Sequence, residues 1–441
     1  TRKIFSNETP DSFLTRQLHA RDKDKNITRI MHPTRKTVVE GPDVLSAFEA
    51  FSRDLYTKVE INQEVLSEFL TPWSSRLSEE EADLLARPFE LEELEAALKS
   101  MKDLKAPGND GIPALPYKLL PLESKEAILK LFNRLLDGEP VPEDWKEGLV
   151  TTLFKKGDAL LISNRRPITL LPTIYKVLTK LIASRINGVL PALIHEDQVG
   201  FIPRRLIFDN VLTADYVLSR HETWATSIDF EKAYDSVSHE CIRRVLLHIR
   251  LPENLRFLID DLITGSKARV RVDGALTNPF PIDRGVKQGD PLSPLLFALC
   301  IEPLAHRIRK ETKGIQVTPT SSQQILLYAD DILMLGESPE DQLEQVKILM
   351  RFKEASGLKM NVEKSFKTPS NDKNKSLIPN VPDIPSKGIR YLGFQINNKG
   401  LVPIDMEIVE KVEAAVKKWR FCSRNTRLKA TVLKTYVMSK V

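Results

Sequence analysis

The apolar and polar positions of this chain follow two regimes. Over the first hundred residues the pattern is polar and helical. Ser78 and Glu81 have the spacing of a capping box ahead of a short helix, and Leu91, Leu94, Leu98 and Met101 recur on one helical face. The stretch KAPGNDGIP, Lys105 to Pro113, breaks that period, because its prolines and glycines forbid regular structure. Ile128, Leu131, Phe132 and Leu135 then define an amphipathic helix stopped by Gly138. From Gly148 the pattern changes: GLVTTLF reads as a strand with Lys155 and Lys156 at its end, and a long helix is expected from Thr173 to about Leu190, halted by Pro191. WATSIDF (224–230) and ARVRVDG (268–274) alternate as strands, and ILLYADDILML divides into strands over 325–328 and 332–335 with Asp330 and Asp331 at the bend. IRYLGFQINNKGLVP predicts a hairpin turning at Asn397, Asn398 and Gly400, and beyond it Ile408, Val412, Ala415, Val416 and Trp419 share a helical face. Helices and strands mix without a βαβ rhythm, so the expected class is α+β, an antiparallel sheet backed by helices.

Composition narrows the class. The chain has 441 residues and 41% hydrophobic content, enough for about three compact units. No apolar run approaches the ~18 residues that span a bilayer, and residues 1–30 lack a signal-peptide core, so an intracellular, non-membrane protein is expected. Cys241, Cys300 and Cys422 fit neither a disulfide framework nor a zinc spacing and read as small buried hydrophobes. The net charge is +5, unevenly spread: residues 79–95 hold eight acids against Arg87, and 417–441 hold eight bases and no acid. That basic run is either a solvated face or a surface that tracks phosphates.

The candidate chemistry sits in two apolar strands that end on carboxylates. Asp330 and Asp331 lie between Ile325–Leu327 and Ile332–Leu335, and Asp229 ends the strand in ATSIDFEKAYDSV. A β-turn that merely uses Asp-Asp is one reading. The other is functional, since buried unpaired charge is costly and something positive must compensate it. Two such strand ends, meeting in one sheet, can hold two divalent cations about 4 Å apart for phosphoryl or nucleotidyl transfer. Hard oxygen ligands favour magnesium over zinc.

Three segments carry a resemblance. DFEKAYDSV (229–237), GVKQGDPLSPLLF (285–297) and YADD (328–331) resemble motifs A, B and C of reverse transcriptases, in that order. KAPGNDGIP, NRRPITLL, HEDQVGFIPRR and YLGFQI resemble the APE-type LINE, or non-LTR retrotransposon, branch, and the match covers about residues 90 to 400. The resemblance implies a right-hand polymerase fold with fingers, an antiparallel-sheet palm and the start of a helical thumb. The division it implies is a helical N-terminal extension (1–95), fingers (96–220), a palm with motifs A to D interleaved with the fingers (221–385), and a primer-grip hairpin with a truncated thumb (386–441).

It also implies roles. Asp229 and Asp330 resemble the metal-binding aspartates, the Phe230 carbonyl an extra metal ligand, and Asp331 the third acid, nearest the primer terminus; the implied cofactor is two Mg2+ ions. Tyr234 falls where a steric gate excludes a 2'-hydroxyl. Gln288 and Gly289 match the pair that meets the incoming dNTP, and Lys155, Lys156 and Arg166 resemble the cations that grip its triphosphate. Lys364 resembles the general acid of motif D, accompanied by Asn361, and Tyr391, Leu392 and Gly393 open the primer grip. Lys287, Arg165, Arg204 and Leu206 depart from the family pattern.

The expected function is therefore an RNA-directed DNA polymerase core that extends a DNA 3'-hydroxyl on an RNA template in target-primed reverse transcription. The expected partners are template RNA, primer or target DNA and dNTPs, without a membrane. The first residue is Thr1, not Met, and the chain stops just inside the thumb; the nicking endonuclease is expected in a part of the parent protein absent here, and the location nuclear and cytoplasmic. A domesticated, non-catalytic RNA-binding scaffold is disfavoured by the intact Asp229, Asp330, Asp331, Gln288 and Lys364. A group II intron maturase shares YADD but not the LINE-like flanks, and an RNA-dependent RNA polymerase is disfavoured by Tyr234.

Overall fold

The computed structural model describes residues 27–402, apart from 104, 369–376 and 379, together with residue 413. The helical face expected over Ile408 to Trp419 and the basic run from Lys417 lie outside the described residues.

The N-terminal segment is more than a polar helical preamble. A hairpin of β1 (Arg29–Met31) and β2 (Val38–Glu40) precedes α1 (Asp43–Tyr56) and α2 (Gln63–Leu70). The hairpin escapes a periodicity reading because each three-residue strand buries one side chain, Ile30 or Val39. Val44, Ala47 and Phe48 of α1 join the core of a mixed sheet described below, and Phe69 of α2 meets Phe352 edge-on at 5.0 Å. The capping box of Ser78 and Glu81 opens α3 (Glu79–Ala86), and α4 (Leu91–Ser100) buries Leu94, Ala97 and Leu98. The expected division at 95/96 falls inside α4, so an unbroken helix bridges it. After the KAPGNDGIP loop, α5 (Leu122–Leu136) ends just before Gly138.

β3 (Glu147–Phe154) and β4 (Arg165–Leu170) pair antiparallel. The next helix, α6 (Thr173–Leu193), runs through Pro191 instead of stopping there. In a final turn the proline costs only the bond to the Asn187 carbonyl, and burial of Leu190 and Leu193 holds the turn in place. Then come α7 (Ile207–Arg220), β5 (Trp224–Ile228), α8 (His239–His248), α9 (Glu253–Ile263) and β6 (Lys267–Val272). β6 lies parallel to β3, so this sheet is mixed and not purely antiparallel as expected; the long crossover through α6 to α9 returns the chain in the same direction.

The second sheet follows α10 (Ser293–Glu311). It joins β5 to β7 (Ile325–Tyr328), β8 (Asp331–Gly336) and, beyond α11 (Pro339–Ser356), β9 (Phe366–Lys367). Its order is β7-β8-β5-β9 and every pair is antiparallel. Ile228, Ile332 and Met334 face the main core with Phe297 and Phe352; Ala225, Leu333 and Leu335 face Ala214, Val217 and Leu218 of α7. Burial of both faces is why ILLY and ILML read as unbroken apolar runs.

At the end of the described chain, β10 (Ile389–Tyr391), β11 (Phe394–Asn397) and β12 (Gly400–Leu401) form a meander. The chain thus turns twice, at Leu392–Gly393, within the stretch that resembles a primer-grip hairpin, and at Asn398–Lys399, where the second turn was expected, with Gly400 in a strand. Among the described residues no helix is long and apolar enough to cross a membrane.

Candidate active site

Register brings the three acids to one end of the four-stranded sheet. Ile332 pairs with Ile228, and continuing that antiparallel register by one residue sets Asp331 opposite Asp229. Tyr328 pairs with Asp331, so Ala329 and Asp330 form a two-residue turn and the strand begins at Asp331, one residue earlier than expected. Asp229 leaves β5 along a strand-like path: its N–H donates to Ser365 Oγ at 3.1 Å and its carbonyl accepts from the Asn361 N–H at 2.7 Å.

All three carboxyls are held above the ordinary range. Burial raises Asp229; burial and then the neighbouring Asp229 raise Asp330; burial, Asp330 and Asp229 push Asp331 up to about 6. Cations oppose this. Lys364, Lys155 and Lys156 favour the ionised form of Asp229, and Arg166 and Lys155 that of Asp330 and Asp331. The β3–β4 hairpin end, Lys364 and the three acids are therefore one electrostatic unit. Lys364 closes a single 3-10 turn, Val362–Lys364, and its own N–H donates to the Asn361 side-chain oxygen at 3.3 Å.

Among the described residues no group of three or more His, Cys, Asp or Glu forms a ready metal cage. Two or three carboxylates at an open rim match the way magnesium is bound, through few carboxylates completed by substrate phosphates and water. The residues present fit such an ion: the donors are hard oxygens, and their mutual repulsion is the kind a cation relieves. The Phe230 side chain is buried and, as a phenyl ring, offers no donor, so only its main-chain carbonyl could ligate.

The YADD turn is braced by residues whose role sequence reading missed. Ala329 has φ +53°, a left-handed conformation that costs a non-glycine residue about 1 kcal/mol. Fully buried Gln198 accepts from the Ala329 N–H and the Gly200 N–H through Oε1, each at 2.9 Å. Residues 197–199 run beside β7, with a parallel bridge from Gln198 to Leu327, and the Asn210 amide donates to both the Asp197 and Leu327 carbonyls. In HEDQVGF, Gln198 ends a polar run of His195, Glu196 and Asp197, and nothing local says that its side chain props a turn 131 residues away.

The motif B loop is pinned to motif A and to β4. The Val286 N–H donates to the Tyr234 carbonyl at 2.6 Å, and the Gln288 carbonyl accepts from the Thr169 N–H at 2.8 Å. Gly289 has φ +122°, and a Cβ there would lie 2.7 Å from the Thr169 carbonyl oxygen, so only glycine fits. The Gln288 side chain donates to Asp235 Oδ2 at 2.9 Å. Tyr234 stacks on Phe297 at 4.8 Å, and burial followed by Asp330 raises its hydroxyl. Lys232, at φ +49°, donates to the Arg165 carbonyl at 2.7 Å, tying motif A to the strand that carries Arg166. Tyr391 is buried, and Leu392 and Gly393 form the tip of the β10–β11 hairpin.

Lys287 does not face the rim. It is buried against Tyr175, donating to the Tyr175 hydroxyl at 3.3 Å and the Leu262 carbonyl at 3.2 Å, with the ring 4.7 Å from its ammonium. Burial lowers it from 10.5 to about 8. Between those values the unfolded chain holds more protons than the folded one, so this group makes stability rise with pH through that window. At ~1.4 kcal/mol per unit the rise is on the order of 3 kcal/mol. Urea unfolding of wild type and Lys287→Met at both ends of the window checks this: the wild type gains relative to the variant, and parallel profiles refute the assignment.

Comparison with known proteins places this sequence. The sequence profile described as "Reverse transcriptase (RNA-dependent DNA polymerase)" matches residues 154–396. The chain is 29% identical over 426 residues to the "Transposon TX1 uncharacterized 149 kDa protein" of Xenopus laevis, covering 92% of this chain and 32% of that protein. It is 32% identical over 289 residues to the "Retrovirus-related Pol polyprotein from type-1 retrotransposable element R2" of Popillia japonica, covering 63% and 39%. It is 24% identical over 329 residues to the "RNA-directed DNA polymerase from mobile element jockey" of Drosophila melanogaster, covering 69% and 34%. The chain spans about a third of the length of these relatives. With three strand-end acids in the family's order and more than half its length matched, the chain belongs to the reverse transcriptase family, of the non-LTR retrotransposon type.

Proposed function

We propose that this chain extends a DNA 3'-hydroxyl on an RNA template, using dNTPs, as the polymerase core of a non-LTR retroelement. The observation that carries the proposal is the convergence of Asp229, Asp330 and Asp331 at one sheet end, within electrostatic reach of Lys155, Lys156, Arg166 and Lys364. In this reading the four-stranded sheet is the palm, the mixed sheet with α4 to α6 the fingers, β10–β11 the primer grip and the segment after it the start of the thumb. The proposed division is 1–95, 96–220, 221–385 and 386–441, with β6 of the mixed sheet interleaved from the third range.

Asp229, Asp330, Asp331 and the Phe230 carbonyl would hold two magnesium ions, which when bound supply Lewis acidity toward the attacking hydroxyl and the departing pyrophosphate. Lys155, Lys156 and Arg166 offset the triphosphate charge as it grows in the transition state. Gln288 and Gly289 border the incoming nucleotide, and the Tyr234 ring closes the space a 2'-hydroxyl would need. Lys364 donates a proton to the leaving group. The implied process is target-primed reverse transcription in nucleus and cytoplasm, with the nick made by an endonuclease outside this chain.

Primer extension on an annealed RNA template with a DNA primer, in magnesium, tests the activity; absence of templated incorporation would refute it. Two substitutions test assigned roles. Tyr234→Ala lowers the dNTP-over-rNTP preference in kcat/KM by about a hundredfold, whereas Tyr234→Phe keeps the ring and the preference. An unchanged preference in the alanine variant removes the gate assignment. Lys364→Leu slows single-turnover incorporation about a hundredfold. Lys347→Leu, on the exposed side of α11 and paired with Glu344 among the described residues, is the control, and equal effects would end the general-acid role.

A further inference from the structure

Asp235 is the most deeply buried acid of motif A and takes no part in the chemistry above. It is 1% exposed, and its two oxygens meet neutral donors: the Tyr56 hydroxyl at 2.8 Å on Oδ1 and the Gln288 amide at 2.9 Å on Oδ2. Lys232 and Arg284 favour its ionised form from further off. Tyr56 is the last residue of α1 and stacks on Phe280 at 6.0 Å, so the N-terminal segment reaches the floor of the site through this hydroxyl.

The arrangement fixes an orientation. An ionised carboxylate only accepts, so the Gln288 amide must turn its NH2 group to Asp235 and its Oε1 away from it. The Gln288 main chain is already held by Thr169, and the loop by the Tyr234 and Val237 carbonyls. The side-chain amide is the one part left to orient, and Asp235 orients it. An apolar residue would bury at lower cost in this position, since a buried carboxylate needs every bond it can make.

We propose that Asp235 is a positioning residue for nucleotide selection, its carboxylate holding the Gln288 amide while Tyr56 of α1 holds the carboxylate. The proposal rests on the reading that Gln288 touches the incoming nucleotide, and a double-mutant cycle separates the two. Steady-state dNTP kinetics on the RNA–DNA primer-template are measured for the full chain, Gln288→Ala, Asp235→Leu and the double variant. Asp235→Leu raises KM for dNTP about tenfold with a smaller change in kcat, and adds less than about twofold in the Gln288→Ala background. Asp235→Asn, whose Oδ1 still accepts from the amide, stays within about threefold of wild type, and Tyr56→Phe lies between.

An Asp235→Leu effect of equal size with and without the Gln288 side chain overturns the proposal, leaving a purely structural residue. If Gln288→Ala itself leaves KM unchanged, the nucleotide-contact reading fails instead. Should Asp235→Leu lack a cooperative unfolding transition, Gln288→Glu carries the test. It sets two carboxylates against each other and raises KM, and adding Asp235→Asn supplies a donor and restores KM toward wild type. No restoration overturns the proposal.

Discussion

Asp330→Asn abolishes templated dNTP incorporation, by a factor on the order of a thousand, and at the same time makes the chain more resistant to unfolding. The first effect follows from the acid's place in the turn between β7 and β8, close enough to Asp229 for their charges to repel. Asparagine keeps the shape but removes the charge that a divalent ion and the hairpin cations answer. The second follows from the same repulsion. Asp330 is raised by burial and by Asp229, and Asp331 by burial, Asp330 and Asp229, so the metal-free fold carries like charge at this rim that the nearby cations relieve only in part. Removing one charge relieves it, and thermal unfolding without metal rises by a few degrees, ~2–4 °C. Incorporation and melting measured side by side check both. A variant that loses activity and also melts earlier would mean that Asp330 is a structural residue.

Gly200→Ala produces the second large effect, because the damage reaches the same turn from behind. A Cβ at this position would lie 2.4 Å from the Ala329 nitrogen and 2.9 Å from Gln198 Oε1, and backbone cannot step aside as a flexible side chain can. The segment carrying Gln198 must move off β7, and the two N–H groups it satisfies, those of Ala329 and Gly200, lose their acceptor. The expected cost is about 2–3 kcal/mol of stability. Incorporation falls about a hundredfold, because a catalytic carboxylate displaced by an ångström loses much of its effect. Gln198→Ala removes the acceptor without the collision and gives the milder form of both changes. Urea unfolding with single-turnover incorporation is the measurement, and wild-type rates in Gly200→Ala would show that the turn holds itself.

The elements that were legible in the sequence are those that a local rule governs. The capping box of Ser78 and Glu81 and the helix closed ahead of Gly138 each depend on residues within a turn or two of one another. The two halves of YADD were readable as strands because both faces of that sheet are buried, which leaves unbroken apolar runs. Where the local rule was outweighed, the reading failed. Pro191 sits inside α6 because buried Leu190 and Leu193 outweigh one missing bond, and the β1–β2 hairpin is too short to show a period. Gly400, expected in a turn, instead pairs in β12.

The sequence by itself determined which acids carry the candidate chemistry: Asp229, Asp330 and Asp331 stand out because charge at the ends of apolar strands is expensive unless it is used. The tertiary structure alone decided what surrounds them. Strand register sets Asp331 opposite Asp229, the β3–β4 hairpin brings the charges of Lys155 and Arg166 near them, Gln198 props the turn, and Tyr56 and Asp235 hold Gln288. The physical reason is range: burial cost and helix capping are written in neighbouring residues, whereas hydrogen bonds spanning 53 to 179 positions form only once the chain has closed on itself.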